Sequence, residues 1–252
     1  MAASSPDVHQ LARDGNASLL RLQLEQDPDL VTKLDSDSRT PLQCAISALP
    51  PSVHAAEACL DALARLDDAR AKANALENGD GVGNTALISA ATTGSLEMVK
   101  LLLGAGADVT ATNSRCATAL HYAASKGHVS IGRLLLDKGG DVNARDRANQ
   151  LPLHRASTTG SLPFLHLLLS STSPHPPHKP RLNLSDRAGH TPLHLAVESG
   201  HAEVAVALIE AGADRDKGDA DGVRPEEMEG VGGTEAKKVR EYIVQRCGPL
   251  ST

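Results

Sequence analysis

Three histidines are the residues of this chain best suited to chemistry, because imidazole binds metal ions and exchanges protons near neutral pH. They are His121, His154 and His194, and each lies three residues after a threonine or leucine in a similar local sequence. Because they occupy one position of a repeated unit, a whole repeat separates each from the next, and they do not converge on one metal ion. The pattern favours a structural role in which each imidazole bonds to neighbouring backbone.

Two further segments have the composition of ligand sites. His175 and His178 are separated by two prolines, which is more typical of a solvated linker than of a metal site. The glycine-rich run 79–83 is similar to a phosphate-binding loop, but no Lys-Ser or Lys-Thr pair follows it. No nucleophile elbow, zinc motif or carboxylate pair stands out. We therefore predict that the protein is not an enzyme and binds no cofactor and no metal ion.

The segments that carry these residues repeat along the chain, as variants of Asp-x-x-Gly-x-Thr-Pro-Leu-His. Aligned on the threonine, the six copies lie at Thr40, Thr85, Thr118, Leu151, Thr191 and Arg224. The steps between them are 45, 33, 33, 40 and 33 residues. A step of about 33 residues is the ankyrin period. The two longer steps therefore indicate insertions of 12 and 7 residues in one regular array.

Each copy predicts a hairpin followed by two antiparallel helices. An Asp or Asn lies five residues before the aligned position, and several of the residues two before it are able to reach positive φ. Thr caps the first helix, and Pro fits its first turn because the missing N–H has no partner there. The second helix carries a leucine-rich buried side and ends at glycines such as Gly106, Gly139 and Gly212. Since one such unit cannot bury its own apolar face, the copies should stack.

The predicted fold class is all-α, an ankyrin-repeat solenoid of seven repeats that forms a single domain over residues 1–252. Repeat one is degraded and begins its first helix near His9, and the last repeat ends in a polar helix from about Thr234 to Arg246. Polar outer faces at both ends keep such a stack soluble. The predicted repeats span residues 5–34, 35–79, 80–112, 113–145, 146–185, 186–218 and 219–248.

Both insertions are expected on the surface. Pro50-Pro51 divides the two helices of repeat two. Its second helix is expected to extend from about Ser52 to Ala69 and to run into a polar stretch, residues 67–80. The prolines of residues 170–180 exclude a helix and favour an extended, solvated loop outside the stack.

Composition limits the possible partners and the compartment. Lys and Arg number 25 against 31 Asp and Glu, a formal charge of −6, which argues against nonspecific nucleic-acid binding. The sequence has no apolar run near 18 residues and no leader-like start, so we expect a monomer of the cytoplasm and nucleus without a membrane partner. Its four cysteines lack metal-type spacing and are expected to be reduced thiols.

With catalysis and metal binding not indicated, the function that remains is protein binding through a surface. On stacked repeats of this kind the concave face is built from the hairpins and the solvent side of the first helices. In the middle repeats the hairpins carry basic residues, whereas repeats two and seven carry Asp37 and Asp221. The recurrence favours a basic binding surface over a generic solvated one. The candidate partner-binding residues on the hairpins and first helices are Arg39, Asp37, Arg115, Arg147, Arg187, Ser125 and Lys126.

Three segments also resemble a particular family. Residues 35–40 (Asp-Ser-Asp-Ser-Arg-Thr), 120–126 (Leu-His-Tyr-Ala-Ala-Ser-Lys) and 153–156 (Leu-His-Arg-Ala) are similar to stretches of the gankyrin family, the ankyrin-repeat assembly chaperones of the proteasome regulatory particle. Seven repeats in a chain of little else also match, so the resemblance covers residues 8–246. The Leu-x-Cys-x-Glu motif of the family is absent, because the chain reads Leu195-Ala-Val-Glu-Ser.

The resemblance implies a partner and a mechanism. Gankyrins bind the C-terminal helical domain of one AAA ATPase subunit, the third, in the base of the regulatory particle, and hold it from premature docking by steric exclusion. It places Arg39 and Lys126 against acidic residues of that domain and adds Arg155 to the candidate residues. The alternative is another ankyrin protein with the same groove, namely a generic scaffold, a kinase-inhibitor-like protein or a ubiquitin-ligase adaptor.

Overall fold

The structure, a computed structural model, describes residues 7–171, 179–228 and 234–249. Within these ranges the regular structure is helical, apart from one isolated antiparallel bridge between Thr112 and Thr118. The α-helices are α1 (Val8–Arg13), α2 (Ala17–Gln26), α3 (Pro41–Ser47), α4 (Val53–Arg65), α5 (Ala69–Glu77), α6 (Ala86–Thr93), α7 (Leu96–Gly104), α8 (Ala119–Lys126), α9 (Val129–Asp137), α10 (Pro152–Thr158), α11 (Leu162–Leu169), α12 (Pro192–Glu198), α13 (Ala202–Glu210) and α14 (Thr234–Cys247). Short 3-10 helices cover Pro28–Thr32 and Pro225–Glu227.

The first helix of each full repeat begins where the sequence predicts. The hydroxyls of Thr40, Thr85 and Thr191 accept a hydrogen bond from the backbone N–H three residues later, which caps α3, α6 and α12. The second helices then end at glycines with positive φ, at Gly106, Gly139 and Gly212. The predicted helix pairs are therefore confirmed from Thr85 onward. In the last repeat the residues after Arg224 form only a 3-10 turn.

The contacts divide the chain into two compact units, residues 1–119 and residues 120–252. In unit 1 the first helices α1, α3 and α6 pack in series, and the second helices α2, α4 and α7 pack beside them. The core between these two layers is aliphatic. Its fully buried side chains include Leu20, Leu42, Ile46, Leu87, Ile88, Met98 and Leu102.

Unit 2 repeats the same arrangement. The first helices α10 and α12 pack together, α11 lies between α9 and α13, and α14 packs on α12 and α13. The one phenylalanine of the chain, Phe164, is fully buried here. Its ring lies over Gly132 of α9, where an added Cβ would approach the ring to 2.5 Å. A helical glycine thus provides the space that the large ring needs in a core of small side chains.

The repeat-two insertion has a structure that the sequence did not predict. The expected long helix over 52–69 is wrong, because α4 ends at Arg65 and a separate helix, α5, forms within the stretch predicted to be polar. The carboxylate of Asp68 caps α5 by accepting from the N–H groups of Arg70 and Ala71. The alanines of α5 favour a helix without an apolar stripe, and Ala75 and Leu76 are its buried residues.

The two ends of the array agree with the prediction. Helix α1 begins one residue before His9, and α14 extends one residue past Arg246. Val239 and Ile243 of α14 are buried. The glycine break at 230–233 and most of the proline-rich insertion, residues 172–178, lie outside the described residues. In the described ranges no helix combines the length and the apolar character needed to cross a bilayer.

Candidate functional site

Each hairpin is organised by one side-chain oxygen. In repeat two, Oδ1 of Asp35 accepts from the N–H groups of Asp37 and Arg39, both at 2.9 Å. The same pair of bonds to the second and fourth residues on is made by Asp80, Asn113, Asp146, Asp186 and Asp219. The residue three past each of them has positive φ, including the non-glycines Ser38, Cys116 and Asn149. The predicted turns are therefore confirmed, and their geometry is fixed within each repeat.

At several of these hairpins, the other terminal atom of the same Asp or Asn side chain contacts the preceding hairpin. Gln150 Nε2 donates to Asp186 Oδ2 of the next repeat at 3.0 Å, and His190 Nε2 lies 3.6 Å from Asp219 Oδ2. In unit 1, Asn113 Nδ2 donates to Asn84 Oδ1 at 2.8 Å. The residues just before the threonine position, which the sequence places on the exposed face, therefore hold neighbouring hairpins together.

The repeated histidines have the structural role that their spacing predicts. Nδ1 of His154 accepts from the N–H of Leu151 at 3.1 Å, and its Nε2 donates to the carbonyl of His190 at 3.3 Å. His194 does the same with Thr191 (3.1 Å) and Val223 (3.0 Å). Each neutral imidazole thus joins a helix start to the next hairpin.

Burial keeps these imidazoles neutral. It lowers the pKa of His154 to about 4, and it also lowers the pKa of His121 and of His194. Among the described residues no group of three or more His, Cys, Asp or Glu side chains is placed to hold a metal ion. The four cysteines are free, and burial raises the pKa of the Cys44 thiol to about 11.

In unit 1 the candidate residue Arg39 is engaged within its own hairpin. Its Nε donates to Asp35 Oδ2 at 3.3 Å, and its guanidinium also pairs with Asp37. Arg13 of repeat one donates to the same Asp35 oxygen at 2.5 Å. Burial alone would raise the pKa of Asp35, but hydrogen bonds from the N–H groups of Arg39 and Asp37, the Cys44 thiol and the Arg13 guanidinium hold it below its ordinary value. Arg115 is exposed and has no ion-pair partner in the described part of the chain.

Of the candidate residues in unit 2, Arg155 forms an ion pair within its own repeat and the other basic ones form none within the described residues. Arg155 donates to Asp146 Oδ2 at 2.5 Å and so belongs to the hairpin of its own repeat. Ser125 and Lys126 end α8, with Ser125 half-buried and Lys126 exposed. Arg147 and Arg187 are exposed at corresponding positions of two hairpins, and the Arg187 N–H donates to the Ala148 carbonyl at 3.0 Å. Stacked hairpins therefore bring these two arginine positions next to each other.

A second surface, the groove at the turn between α3 and α4 in unit 1, was not predicted from the sequence. The missed signal was Pro50-Pro51, which we interpreted only as the boundary between two helices. The ion pair between Arg13 and Asp35 was not predicted either, since the two residues lie 22 positions apart and in different repeats.

The comparisons with known proteins agree with this architecture. The family model for "Ankyrin repeats (3 copies)" matches residues 8–113, 111–179 and 150–221. A comparison with curated proteins found no match. Ankyrin repeats mediate protein–protein interaction, typically as non-catalytic scaffolds. With the family model matching most of its length, this chain belongs to the ankyrin-repeat family.

Proposed function

We propose that this ankyrin-repeat protein is an assembly chaperone that binds the C-terminal domain of an AAA ATPase subunit, the third, in the base of the proteasome regulatory particle. It would bind as a monomer, in the cytoplasm and nucleus, and act by steric exclusion without any chemical step. The similarity of residues 35–40, 120–126 and 153–156 to the gankyrin family supports this partner.

The observation that carries the proposal is the set of exposed basic side chains in unit 2. Lys126, Arg147 and Arg187 are exposed, and none has an ion-pair partner within the described residues. A partner carboxylate can pair with them without first breaking an internal bond. Guanidinium groups at adjacent hairpins suit an acidic protein surface, because each can form two parallel bonds with a carboxylate.

Arg39 and Arg155 support the interface differently. Both already bind hairpin carboxylates, so they fix the shape of the hairpins that present the other residues. A partner carboxylate would have to compete with Asp35 or Asp146 for them. Replacing either residue therefore changes the hairpin as well as any contact, which makes Lys126, Arg147 and Arg187 the cleaner tests.

The test is calorimetry of the full chain against the isolated ATPase C-terminal domain. Lys126→Glu and the double change Arg147→Glu/Arg187→Glu should weaken binding by on the order of 2–5 kcal/mol if the pairs are desolvated, and by under about 1 kcal/mol if they stay wet. Arg133→Glu, an exposed charge reversal on α9, is the matched control. Circular dichroism checks folding.

Two results would contradict the proposal. Unchanged affinity in the charge-reversed variants would remove these residues from the interface, and an absence of binding by the wild type would exclude this partner. A pull-down from native cells, with partners identified by mass spectrometry, would then separate a general ankyrin scaffold from a kinase inhibitor or a ubiquitin-ligase adaptor.

A further inference from the structure

The turn between α3 and α4 is two residues longer than the corresponding turns of repeats one and three to six. In repeats one, four, five and six, the residue that precedes the second helix donates its N–H to the carbonyl five residues earlier, as His128 does to Ala123. In repeat two Ser52 donates to Ala45, seven residues earlier, at 2.9 Å. The other ten of the twelve inserted residues follow Ser52, around α5. Leu49, Pro50 and Pro51 thus belong to a turn that is two residues longer than the turns of repeats one, four, five and six.

This enlarged turn is held in place. The Ser52 hydroxyl accepts from the N–H of Ala55 and caps α4. A Cβ added at Gly15, in the preceding turn, would lie 3.1 Å from Ser52 Oγ, so the turns of repeats one and two are in contact. Yet Leu49 is 94% exposed, the most exposed large apolar side chain in the described part of the chain. The turn is held in place and yet leaves a leucine exposed, so folding gains no hydrophobic free energy from this side chain.

Leu49 lies at the edge of a groove of about 990 Å³ in unit 1. The apolar part of the groove is formed by Leu49, the two prolines, Val53 and Leu101. The groove lies beside the turns between helices, whereas the candidate residues Arg39 and Arg115 lie at the hairpins. This volume lies within the range of ligand-binding clefts in proteins.

The charges around the groove decide which peptide fits. Asp14, Glu57 and Glu97 line it, and neither glutamate has an ion-pair partner within the described residues. Lys100 is the opposing uncommitted charge, because the guanidinium of Arg13 is bound to Asp35. Unit 1 as a whole contains 9 Lys and Arg against 15 Asp and Glu. A basic segment is therefore attracted to this groove and an acidic one is repelled.

We propose that the groove at the repeat-two turn is a second docking site, which binds an extended segment of a partner protein containing an aliphatic residue next to Lys or Arg. The aliphatic side chain covers Leu49 and the prolines, and the basic side chain pairs with Glu57 or Glu97. The site differs in chemistry from the proposed ATPase interface, since its glutamates are acidic and the charged candidate interface residues in unit 2 are basic.

The experiment uses the full chain and two fluorescein-labelled peptides, basic GSKLRLSG and acidic GSELELSG, measured by fluorescence anisotropy. The basic peptide should bind, and the acidic one should not bind up to about 1 mM. Leu49→Ser should weaken binding of the basic peptide by about tenfold or more, because it removes the main apolar contact. Glu97→Gln should weaken it by about three- to fivefold, since one exposed ion pair is lost.

Leu22→Ser is the matched control, because Leu22 is 51% exposed on α2 and does not line the groove. It should leave binding unchanged. Equal binding of the two peptides, no measurable binding of the basic peptide, or an unchanged affinity in both Leu49→Ser and Glu97→Gln would each overturn the proposal. Leu49 and Glu97 are exposed, so both variants should fold as the wild type does, which circular dichroism checks.

Discussion

Histidine and glutamine are interchangeable at one position of these repeats. Gln43 of repeat two occupies the position of His154, three residues after the aligned threonine. Its Oε1 accepts from the N–H of Thr40 at 2.8 Å, and its Nε2 donates to the carbonyls of Asn78 and Asn84. The amide therefore makes the same connection as the imidazole, from the helix start to the next hairpin, and carries no titratable proton.

The first prediction concerns acid. The pKa of His154 falls from its ordinary 6.5 to about 4 on folding. Above pH 6.5 both states are neutral, so the group has no effect; between pH 6.5 and 4 only the unfolded state binds the proton, and stability is lost as pH falls. His154→Gln should keep the stability at pH 7.5 and remove up to about 3 kcal/mol of the loss at pH 4.

Urea unfolding of both proteins at pH 7.5 and at pH 4.5 measures this difference. An equal loss of stability in wild type and variant on acidification would show that His154 is not the group responsible. His121→Gln and His194→Gln, whose pKa values are also lowered by burial, should give the same sign.

The arginines show what residue patterns leave open. The sequence places Arg39 on the hairpin correctly, but it does not show whether the guanidinium faces a partner or its own repeat. The structure gives it two internal carboxylates, Asp35 and Asp37. An ion pair depends on side-chain positions that spacing alone does not define, so the position of Arg39 on the hairpin was predictable and its pairing was not.

At the scale of elements, the hairpin is the part most strongly defined by sequence. Asn113 makes the same two bonds to backbone N–H groups as the aspartates do, at 2.9 and 3.1 Å. The second prediction follows from this comparison. Asp146→Asn should keep these bonds and lose the charge-assisted bond to Arg155, costing about 1.5 kcal/mol because the carboxylate is buried. Asp146→Ala also leaves two backbone donors without an acceptor and should cost about 3 kcal/mol.

Chemical denaturation of the two variants measures the difference. If Asp146→Asn and Asp146→Ala were equally destabilised, the ion pair and not the backbone bonds would maintain the hairpin.

The third prediction separates backbone strain from crowding. Gly189 and Gly222 occupy the same hairpin position with φ of 86° and 79°. A Cβ at Gly189 would lie 2.2 Å from the N atom of Ala220 in the next hairpin, whereas nothing lies within 4 Å of one at Gly222. Gly222→Ala should cost about 1 kcal/mol for the left-handed conformation. Gly189→Ala should cost at least about 2 kcal/mol more, because the hairpins must separate.

Thermal unfolding of both glycine variants checks this order. Equal costs would mean that the next hairpin moves aside freely, which would contradict the close stacking of repeats six and seven.

Helix boundaries were predictable where a cap and a period coincide, and not elsewhere. Thr85 and Thr191 each cap a helix and each lies 33 residues before the next copy, so α6 and α12 begin as predicted. Helix α5 lies in an insertion, outside the repeat, and its short alanine-rich sequence has no apolar period to reveal it. Asp68 followed by alternating alanines was the available signal, because it combines a capping residue with strong helix formers.

At the scale of the whole molecule, charge is distributed unevenly along the chain. Residues 120–190 contain 9 Lys and Arg against 4 Asp and Glu, whereas residues 191–252 contain 7 against 12. The formal charge of −6 therefore conceals a basic middle section. The net charge of the whole chain therefore does not exclude an acidic protein partner, because such a partner can bind the basic residues between 120 and 190.

The fourth prediction tests that distribution. Binding of the ATPase C-terminal domain should weaken about tenfold or more when NaCl rises from about 50 to about 300 mM, because the Debye length falls below the spacing of the exposed charges. Lys126→Glu should reduce this dependence. Calorimetry at several salt concentrations measures it, and an affinity independent of salt would contradict an interface built on Lys126, Arg147 and Arg187.

Most of the inserted residues of repeats two and five lie beyond the usual end of the second helix, before the next hairpin. Of the twelve extra residues of repeat two, two enlarge the turn before α4, four lengthen α4 and six follow it, whereas all seven of repeat five follow Ser161. The hairpin that follows each insertion keeps the same pair of bonds to its Asp, at Asp80 and at Asp186, so extra residues at this point leave the next repeat unchanged. The ends of α7, α9 and α13 are the equivalent points without an insertion, and a reporter sequence or a recognition tag could be introduced there by design.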